Sequence, residues 1–321
     1  MTYDRYYYSI LSSSDKQIYK TIYKGIQNFE TSITVPKSSV SLKKIVQYIG
    51  FDNPHIFYVD FNHFTFSASV LSFTLNLTYW YTKQKSEEIN DKIQTVYKKM
   101  LSRIKGKTDC EKEKSVHDLL IENVVYDTVA SQHFNKYHSR SNSILGVLFY
   151  KTAVCEGIAK TTKILLNLLD IKCIVATGMA GGELHAWNIV KIDGEPYQLD
   201  VTWDINLSTK DVFRYDYFNI TDKEMVVDHN PNIRYPTCIS DKNNYLHKNK
   251  LVAKNLLDIE KIIVSSKLHK KKFITFKYVG ADFEKAIKSA VNMASTVKEF
   301  DRISRISYSI NKEQNICTIK L

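Results

Sequence analysis

The sequence predicts an α+β protein in which helices pack against an antiparallel sheet. Apolar residues that follow Cys155 recur at helical spacing as far as Leu169. The next two runs, 185–192 and 195–203, alternate as strands do, and the dipeptide Asp193-Gly194 between them is typical of a two-residue hairpin turn. Apolar residues make up 44% of the 321 residues, which is ample for a core.

The part of the chain before this segment is predicted to be a helix-and-sheet region. Apolar periodicity and capping residues indicate helices at 13–29, 41–49, 86–104 and 116–125. Aromatic and β-branched residues indicate strands at 56–61, 64–67 and 70–81. Alternation of Phe66, Leu71, Phe73 and Leu75 predicts that this small sheet buries one face. The same aromatic residues can instead line a substrate groove.

Two polar segments flank the helix that begins near Cys155. Residues 127–143 are turn-prone and can form one wall of a cleft, with His133 and His138 as candidate substrate contacts. A central strand is expected at 171–177, and a flexible loop at 179–183 is expected to shape the cleft entrance. Further along, His229 is interpreted as a structural residue.

A small C-terminal α/β region is predicted after a polar connection at 231–245. Its expected elements are a helix at 259–268, a strand at 273–279, a helix at 283–297 and a hairpin of 303–310 with 316–321. The predicted regions are therefore 1–115, 116–238 and 245–321. The last has no candidate nucleophile set, which favours a packing or interaction role.

Three residues form a candidate acyl-transfer site. Cys155 lies in the first turn of its helix, where free N–H groups and the helix dipole favour a thiolate, and Gly157 leaves room near the sulfur. The hairpin can bring His185 on one strand near Asp200 at the end of the other. Taken singly, each residue can have a purely structural role: Cys155 as a buried cysteine, His185 as a hydrogen-bonded polar residue and Asp200 as a turn former. Their order on helix, strand and strand favours a Cys-His-Asp triad.

On these residues the sequence resembles the transglutaminase-like superfamily, a branch of the papain-like cysteine enzymes, and more weakly its uncharacterised bacterial members. The matching motifs are Val154-Cys155-Glu156-Gly157, His185-Ala186-Trp187-Asn188, Asp193-Gly194 and Leu199-Asp200-Val201-Thr202-Trp203-Asp204. The resemblance implies Cys155 as nucleophile, His185 as general base and acid, and Asp200 as the orienting carboxylate. One departure is Ile158, where the family usually has an aromatic residue. We expect Gly157, Trp187 and Trp203 to lie at the cleft, and the backbone N–H of Cys155 to serve as an oxyanion donor.

Composition limits the cofactors and the compartment. Five cysteines without paired spacing argue against a disulfide framework, and no CxxC or Cys/His cluster suggests zinc. The triad requires no metal, no calcium loop is visible, and we expect no cofactor. There is no apolar run of the ~20 residues that span a bilayer. The N-terminus lacks the apolar region of a signal peptide, so we expect a cytoplasmic protein.

The formal net charge of +11 is concentrated at the C-terminal end. Roughly +9 of it falls in residues 241–321, where the lysines are scattered except for Lys270-Lys271-Lys272. This pattern is typical of a solvated surface, and no nucleic-acid-binding motif accompanies it, so nucleic acid is not the expected partner.

Three functions remain open from the sequence. The first is a cysteine peptidase, amidase or transglutaminase that acts on a protein or peptide. The second is a catalytically silent protein-interaction module that keeps the fold. The third is a binder of nucleic acid or acidic surfaces through residues 241–321. The substrate, the acceptor of the acyl group and the oligomeric state are not determined by the sequence.

Overall fold

A computed structural model of the protein describes residues 4–132, 138–296 and 307–320. Three regions follow one another along the chain: N-terminal helices with a small sheet, a central five-stranded sheet with its packing helices, and a C-terminal four-stranded sheet with two longer helices. This architecture confirms the predicted α+β class. Within the described ranges, no helix combines the length and the apolar character that crossing a membrane requires.

The N-terminal region confirms two of the predicted helices. Its elements are α1 (Tyr6–Ser9), α2 (Ser13–Gln27), β1 (Ser32–Pro36), α3 (Leu42–Asp52), β2 (Thr65–Ala68) and β3 (Ser72–Asn76). Ser12 caps α2 and Ser41 caps α3, each side chain accepting a backbone N–H of the first turn. The strands pair antiparallel in the order β1-β3-β2.

One prediction for this small sheet is wrong and another is correct only in part. Residues 56–61 do not form a strand; Val59 makes only an isolated bridge with Tyr79, although several side chains of this run are buried. The predicted buried face is present only in part, because Leu75 and Leu77 are buried whereas Phe66 is 50% exposed and Leu71 is 80% exposed. The pattern also did not reveal β1, which pairs with the other side of β3 and places β2 at an edge of the sheet.

The central region carries the predicted Cys155 helix and the predicted hairpin. Its elements are α4 (Lys83–Leu101), α5 (Asp109–Asn123), β4 (Val125–Tyr126), α6 (Thr128–Gln132), α7 (His138–Ser141), a π-helical turn (Gly146–Tyr150), β5 (Thr152–Ala153), α8 (Cys155–Asn167), β6 (Cys173–Ala180), β7 (Glu183–Ile192), β8 (Glu195–Leu199), α9 (Val201–Leu207), β9 (Phe218–Ile220), α10 (Asp222–Met225) and β10 (His229–Pro231). The sheet has the order β10-β6-β7-β8-β9. Thr108 and Glu111 form a capping box that starts α5 at Asp109, so the region boundary predicted at 115/116 lies inside this helix.

Turn chemistry sets the register of the two hairpins in the five-stranded sheet. Asp193 and Gly194 both have positive φ, 51° and 87°, as the predicted two-residue turn requires. Gly181 and Gly182 likewise have positive φ and join β6 to β7 directly. The flexible loop predicted at 179–183 is therefore a tight turn between two long strands.

The C-terminal region forms its own apolar core. Its elements are α11 (Tyr245–Lys248), β11 (Val252–Ala253), α12 (Leu256–Leu268), β12 (Phe273–Tyr278), α13 (Phe283–Thr296), β13 (Tyr308–Asn311) and β14 (Ile316–Lys320). Helices α12 and α13 pack on one face of the sheet through residues such as Ile263, Ala290 and Phe276. The strand start predicted at Ile303 lies outside the described residues.

The second face of the C-terminal sheet contacts the central region through polar side chains. Lys277 of β12 forms an ion pair with Glu224 of α10 at 2.7 Å. Arg214 donates to the hydroxyl of Ser309 in β13 at 2.8 Å and forms a buried ion pair with Asp216. These contacts place the β13–β14 turn next to β10.

Candidate active site

Cys155 is the first residue of α8 and faces a cleft. The backbone of Val154 before it is extended, and its N–H donates to the carbonyl of Ser141, so the chain enters the helix abruptly at Cys155. As the first helical residue, Cys155 has no intrahelical acceptor for its own N–H. Its side chain is partly exposed, whereas the other four cysteines are buried. Cys155 is thus the accessible thiol of the chain.

His185 and Asp200 meet across the hairpin as predicted. Nε2 of His185 lies 2.7 Å from Oδ2 of Asp200, and both side chains are buried. The carboxylate also caps α9, because Oδ1 accepts the backbone N–H of Trp203 at 3.1 Å. Because both of its carboxylate oxygens are hydrogen bonded, the Asp200 side chain cannot rotate freely, and it therefore orients the His185 ring. Cys155 lines the same cleft as His185, and its side chain is one of the groups that raise the pKa of this histidine.

The charges of this group favour an ionised pair of histidine and aspartate. Burial opposes a charge on His185, but Asp200 and Cys155 outweigh it and raise the pKa of His185 to about 10. Burial likewise opposes the charge on Asp200, but His185 and His229 hold the pKa of Asp200 well below its usual range. At neutral pH the site therefore contains an imidazolium next to a carboxylate, and the Cys155 thiol lines the same cleft.

Asn188 ties the histidine strand to the cysteine helix. Its buried amide donates to the carbonyl of Ala159 in α8 at 3.0 Å and to that of Ile174 in β6 at 3.1 Å. One side chain thus joins the helix that carries Cys155 to two strands of the sheet. This bond helps to set the distance between the thiol and His185, together with apolar packing and the bonds that Asn167 at the end of α8 donates to the chain entering β6.

The thiol and the imidazole open into a cleft of about 530 Å³. The N-terminal region supplies one wall with Gln47, Phe51 and Phe61, and the segment before α8 supplies another with Tyr126 and Asn142. The sequence anticipated these walls only in part: Phe61 belongs to the aromatic runs offered as a groove lining and Asn142 to the polar stretch 127–143, whereas Gln47, Phe51 and Tyr126 lie outside both. Of its two candidate contacts there, His133 and the side chain of His138 lie outside the described residues.

The three other residues expected at the cleft lie beside it. A β-carbon at Gly157 would meet the carbonyl oxygen of Ser141 at 2.3 Å, so this glycine makes room for the backbone before the helix and not for a substrate. Trp187 is 1% exposed and donates to Gln198, with its ring stacked behind His185 at 6.1 Å. Trp203 packs on His185 and His229. The residues described as lining the cleft include none of these three.

His229, interpreted from the sequence as structural, contacts Asp200 and His185 of the candidate triad. Its Nε2 lies 3.1 Å from the same Oδ2 of Asp200 that binds His185, and its Nδ1 lies 2.5 Å from Asp228. Burial opposes its charge, but hydrogen bonds to Asp200 and Asp228 raise the pKa of His229 above its ordinary value. The sequence held one signal, the adjacent Asp228, but nothing that placed β10 beside β6.

The same three side chains can be considered as a metal site. Ligand atoms of His185, Asp200 and His229 lie within 4.8 Å of one another, and all three residues are buried. Each facing nitrogen is already hydrogen bonded to Asp200, so proton sharing explains the arrangement. A metal would have to displace the protons that the two histidines share with Asp200.

Comparisons with known proteins point to one family. Residues 94–201 match the family model of the transglutaminase-like superfamily, a range that contains Cys155, His185 and Asp200. The human kyphoscoliosis peptidase is 24% identical to this chain over 175 residues. That match takes in 47% of this chain but only 26% of the human protein's length.

Solved structures with similarity to this chain include a TGase and a cysteine protease candidate from Cytophaga hutchinsonii. The first aligns with a TM-score of 0.32 and 15% identity, over 57% of this chain and 53% of the other. The second aligns with a TM-score of 0.28 and 16% identity, over 44% of this chain and 61% of the other.

Proposed function

Because the chain contains a transglutaminase-like core, we propose that it is a cysteine-dependent acyl-transfer enzyme acting on amide groups of proteins or peptides. One observation carries the proposal: the accessible Cys155 thiol at the start of α8 opens into the same cleft as His185, whose imidazole lies 2.7 Å from the carboxylate of Asp200. A thiol and an imidazole on one cleft, with a carboxylate bound to the imidazole, are the groups that acyl transfer needs.

The proposed reaction proceeds through a thioester. The Cys155 thiolate adds to the amide carbonyl carbon, and the carbonyl oxygen becomes an oxyanion. His185 passes its Nδ1 proton to the amide nitrogen, the C–N bond breaks and the amine leaves. Neutral His185 then takes a proton from water or from an amine as that molecule attacks the thioester. Release of the acyl product restores the thiolate and the imidazolium.

Tyr126 is the second oxyanion donor that we infer beside the Cys155 N–H. It pairs with Ala153, two residues before the nucleophile, and its side chain lines the same cleft. Burial and the charge of Cys155 raise the pKa of Tyr126 to about 12, so its hydroxyl keeps its proton at neutral pH and can donate. A phenol near the thiol can stabilise negative charge as it develops on a carbonyl oxygen.

Thiol labelling tests the proposal before any substrate is known. We expect iodoacetamide at pH 6.5 to modify Cys155 in the wild type much faster than a free thiol. Cys155→Ala is expected to lose this labelling, and His185→Ala to slow it at least ~10-fold, because the imidazolium that stabilises the thiolate is gone. Cys110→Ala, which removes a buried thiol, is the control that leaves the rate unchanged.

The labelling result also separates the enzyme from the silent module. Equal labelling rates in wild type and His185→Ala at pH 6.5 would mean that the thiol is not activated. The chain would then keep the fold as a protein-interaction module, and partner capture would replace the search for a substrate.

Hydrolysis and amine transfer are distinguished by the acceptor. A peptide library is offered with and without a dansyl-labelled primary amine, and products are identified by mass. Incorporation of the amine that requires Cys155 indicates a transglutaminase, whereas cleavage or loss of ammonia alone indicates a peptidase or amidase.

Tyr126→Phe tests the oxyanion donor. We expect the turnover number on an identified substrate to fall by about 10²-fold, because one donor to the oxyanion is lost. The iodoacetamide rate should stay unchanged, since alkylation develops no oxyanion. Tyr150→Phe, at a tyrosine that is 52% exposed, serves as the matched control. A turnover number equal to the wild-type value would remove Tyr126 from the mechanism.

A further inference from the structure

His229 lies between two carboxylates behind the triad. Its Nε2 faces Asp200 at 3.1 Å and its Nδ1 faces Asp228 at 2.5 Å, while the ring is 1% exposed. A neutral imidazole has only one N–H, so bonds to two carboxylates require the doubly protonated, positively charged ring. Its other neighbours are the uncharged rings of Trp187, Trp203 and Tyr217. The His185 ring also lies 5.4 Å away, and its charge opposes the charge on His229, so the two carboxylates must outweigh it.

Together with the triad, this histidine completes a row of alternating charges. The row is His185 imidazolium, Asp200 carboxylate, His229 imidazolium and Asp228 carboxylate, and the Cys155 thiol lines the same cleft as His185. Each member has an opposite charge on either side, except at the two ends. Removal of one internal charge therefore changes the proton affinity of both neighbours.

The far end of the row is held by the C-terminal region. Oδ2 of Asp228 accepts the Tyr217 hydroxyl at 2.7 Å and the side-chain amide of Gln314 at 3.0 Å. Gln314 lies in the β13–β14 turn, is 2% exposed, and also donates to the carbonyl of Glu224 at 3.1 Å. A buried amide that donates to two acceptors of another region is a specific anchor and not a loose surface contact.

Other contacts hold the β13–β14 turn in this place. Asn311 accepts the backbone N–H of Gln314, and its own amide donates to Asp216 at 3.1 Å and to the Tyr217 hydroxyl at 3.2 Å. The charged groups that face the network from the packed elements form two ion pairs, Lys277 with Glu224 and Arg214 with Asp216. Both pairs are internally neutral, so they fix the turn and add little net charge at His229.

We propose that the β13–β14 turn positions the catalytic site. Gln314 in this turn holds Asp228, Asp228 holds His229, and His229 holds Asp200. This inference rests on the proposed acyl-transfer function. It assigns the C-terminal region a role in the catalytic site, where the sequence favoured only a packing or interaction role. His229 and Gln314 touch no reacting atom; they hold Asp200 ionised and oriented beneath His185.

The test uses the full chain and two readouts. The first is the pH profile of Cys155 alkylation by iodoacetamide. The second is the ¹⁵N spectrum of histidine-labelled protein, in which His229→Gln assigns the His229 ring. The variants are His229→Gln, Asp228→Asn and Gln314→Ala, with Glu313→Ala, an exposed neighbour in the same turn, as the matched control. Thermal melts identify any variant that does not fold.

We expect the alkylation rate at pH 6.5 to fall about 10-fold in His229→Gln, since loss of one unit of pKa difference is a factor of ten. The same rate should fall about 3-fold in Gln314→Ala and should equal the wild-type rate in Glu313→Ala. In the spectra, the His229 ring should be doubly protonated at pH 7 in the wild type. The pH at which this ring loses a proton should be lower in Asp228→Asn than in the wild type. In Gln314→Ala it should be lower by a smaller amount.

The two readouts separate failure of this inference from failure of the proposed function. A wild-type alkylation profile that rises only near pH 8.5 would contradict an activated thiol, while the spectra still report whether Gln314 acts on His229. An unchanged His229 titration in folded Gln314→Ala and Asp228→Asn would overturn the positioning role. If Asp228→Asn does not fold, Gln314→Ala decides the matter, because it removes one donor at the edge of the network.

Discussion

Asp200→Asn is expected to cause the largest loss of thiol reactivity that leaves Cys155 in place. The asparagine has the same shape but cannot balance the charge of His185, so the imidazolium loses its main stabilising partner. We expect the alkylation rate at pH 6.5 to fall at least ~100-fold, equivalent to about two units of pKa. The pH profile of the remaining reaction should rise only near pH 8.5, as for a free thiol.

The same substitution should lower stability. Removal of one partner from a buried ion pair costs about 3–5 kcal/mol, because the other charge is left unpaired, and here Asp200 serves both His185 and His229. The pKa of His185 is raised from 6.5 to about 10, so its contribution is fully present below pH 6.5 and is lost as the pH rises towards 10. The contribution of Asp200 is present above its ordinary pKa of 3.8 and is lost as the pH falls.

Urea denaturation across pH tests this prediction. The difference in free energy of unfolding between wild type and Asp200→Asn should be largest between pH 4 and pH 6.5 and should shrink towards pH 10. Asp211→Asn, at an exposed aspartate, is the control for loss of one carboxylate. A difference that does not vary with pH would show that Asp200 acts as a helix cap alone.

Gly157→Ala is expected to be strongly destabilising although it lies inside a helix. Alanine favours a helix over glycine by about 1 kcal/mol. Against this, its β-carbon would meet the carbonyl oxygens of Ser141 and Ser143 at 2.3 and 2.9 Å, and backbone atoms cannot give way as side chains do. We expect overpacking to lower the free energy of unfolding by about 3 kcal/mol in total. Alkylation of Cys155 should also be slower, because the segment that forms the cleft wall must move.

Gly50→Ala provides the matched control. This glycine also lies inside a helix and lines the same cleft, but its β-carbon would meet only the ring of Phe61, at 3.2 Å. A ring can shift by a few tenths of an ångström, so we expect a change in free energy of unfolding under about 1 kcal/mol. Equal melting temperatures for Gly157→Ala and wild type would show that the close approach at Gly157 is not required.

Local patterns were sufficient to predict the α+β class and the elements that carry the candidate triad. Helical periodicity after Cys155 predicted α8, and the turn dipeptide Asp193-Gly194 predicted the hairpin that brings His185 to Asp200. These predictions succeeded because side-chain periodicity and turn conformation depend on residues close together in the chain. The same local signals misjudged residues 56–61 and the exposure of β2, where strand order decided the outcome.

Tertiary packing determined what surrounds the triad. His229 reaches Asp200 because β10 pairs with β6, and Gln314 reaches Asp228 because the C-terminal sheet turns its polar face to the central region. Gly157 and Trp187 were expected at the cleft but pack beside it, because neighbouring elements cover them. Such contacts join residues far apart in the chain, and no periodicity within either segment encodes which partner it will meet. The sequence therefore names the candidate nucleophile and its two partners, whereas packing supplies the groups that hold them in place.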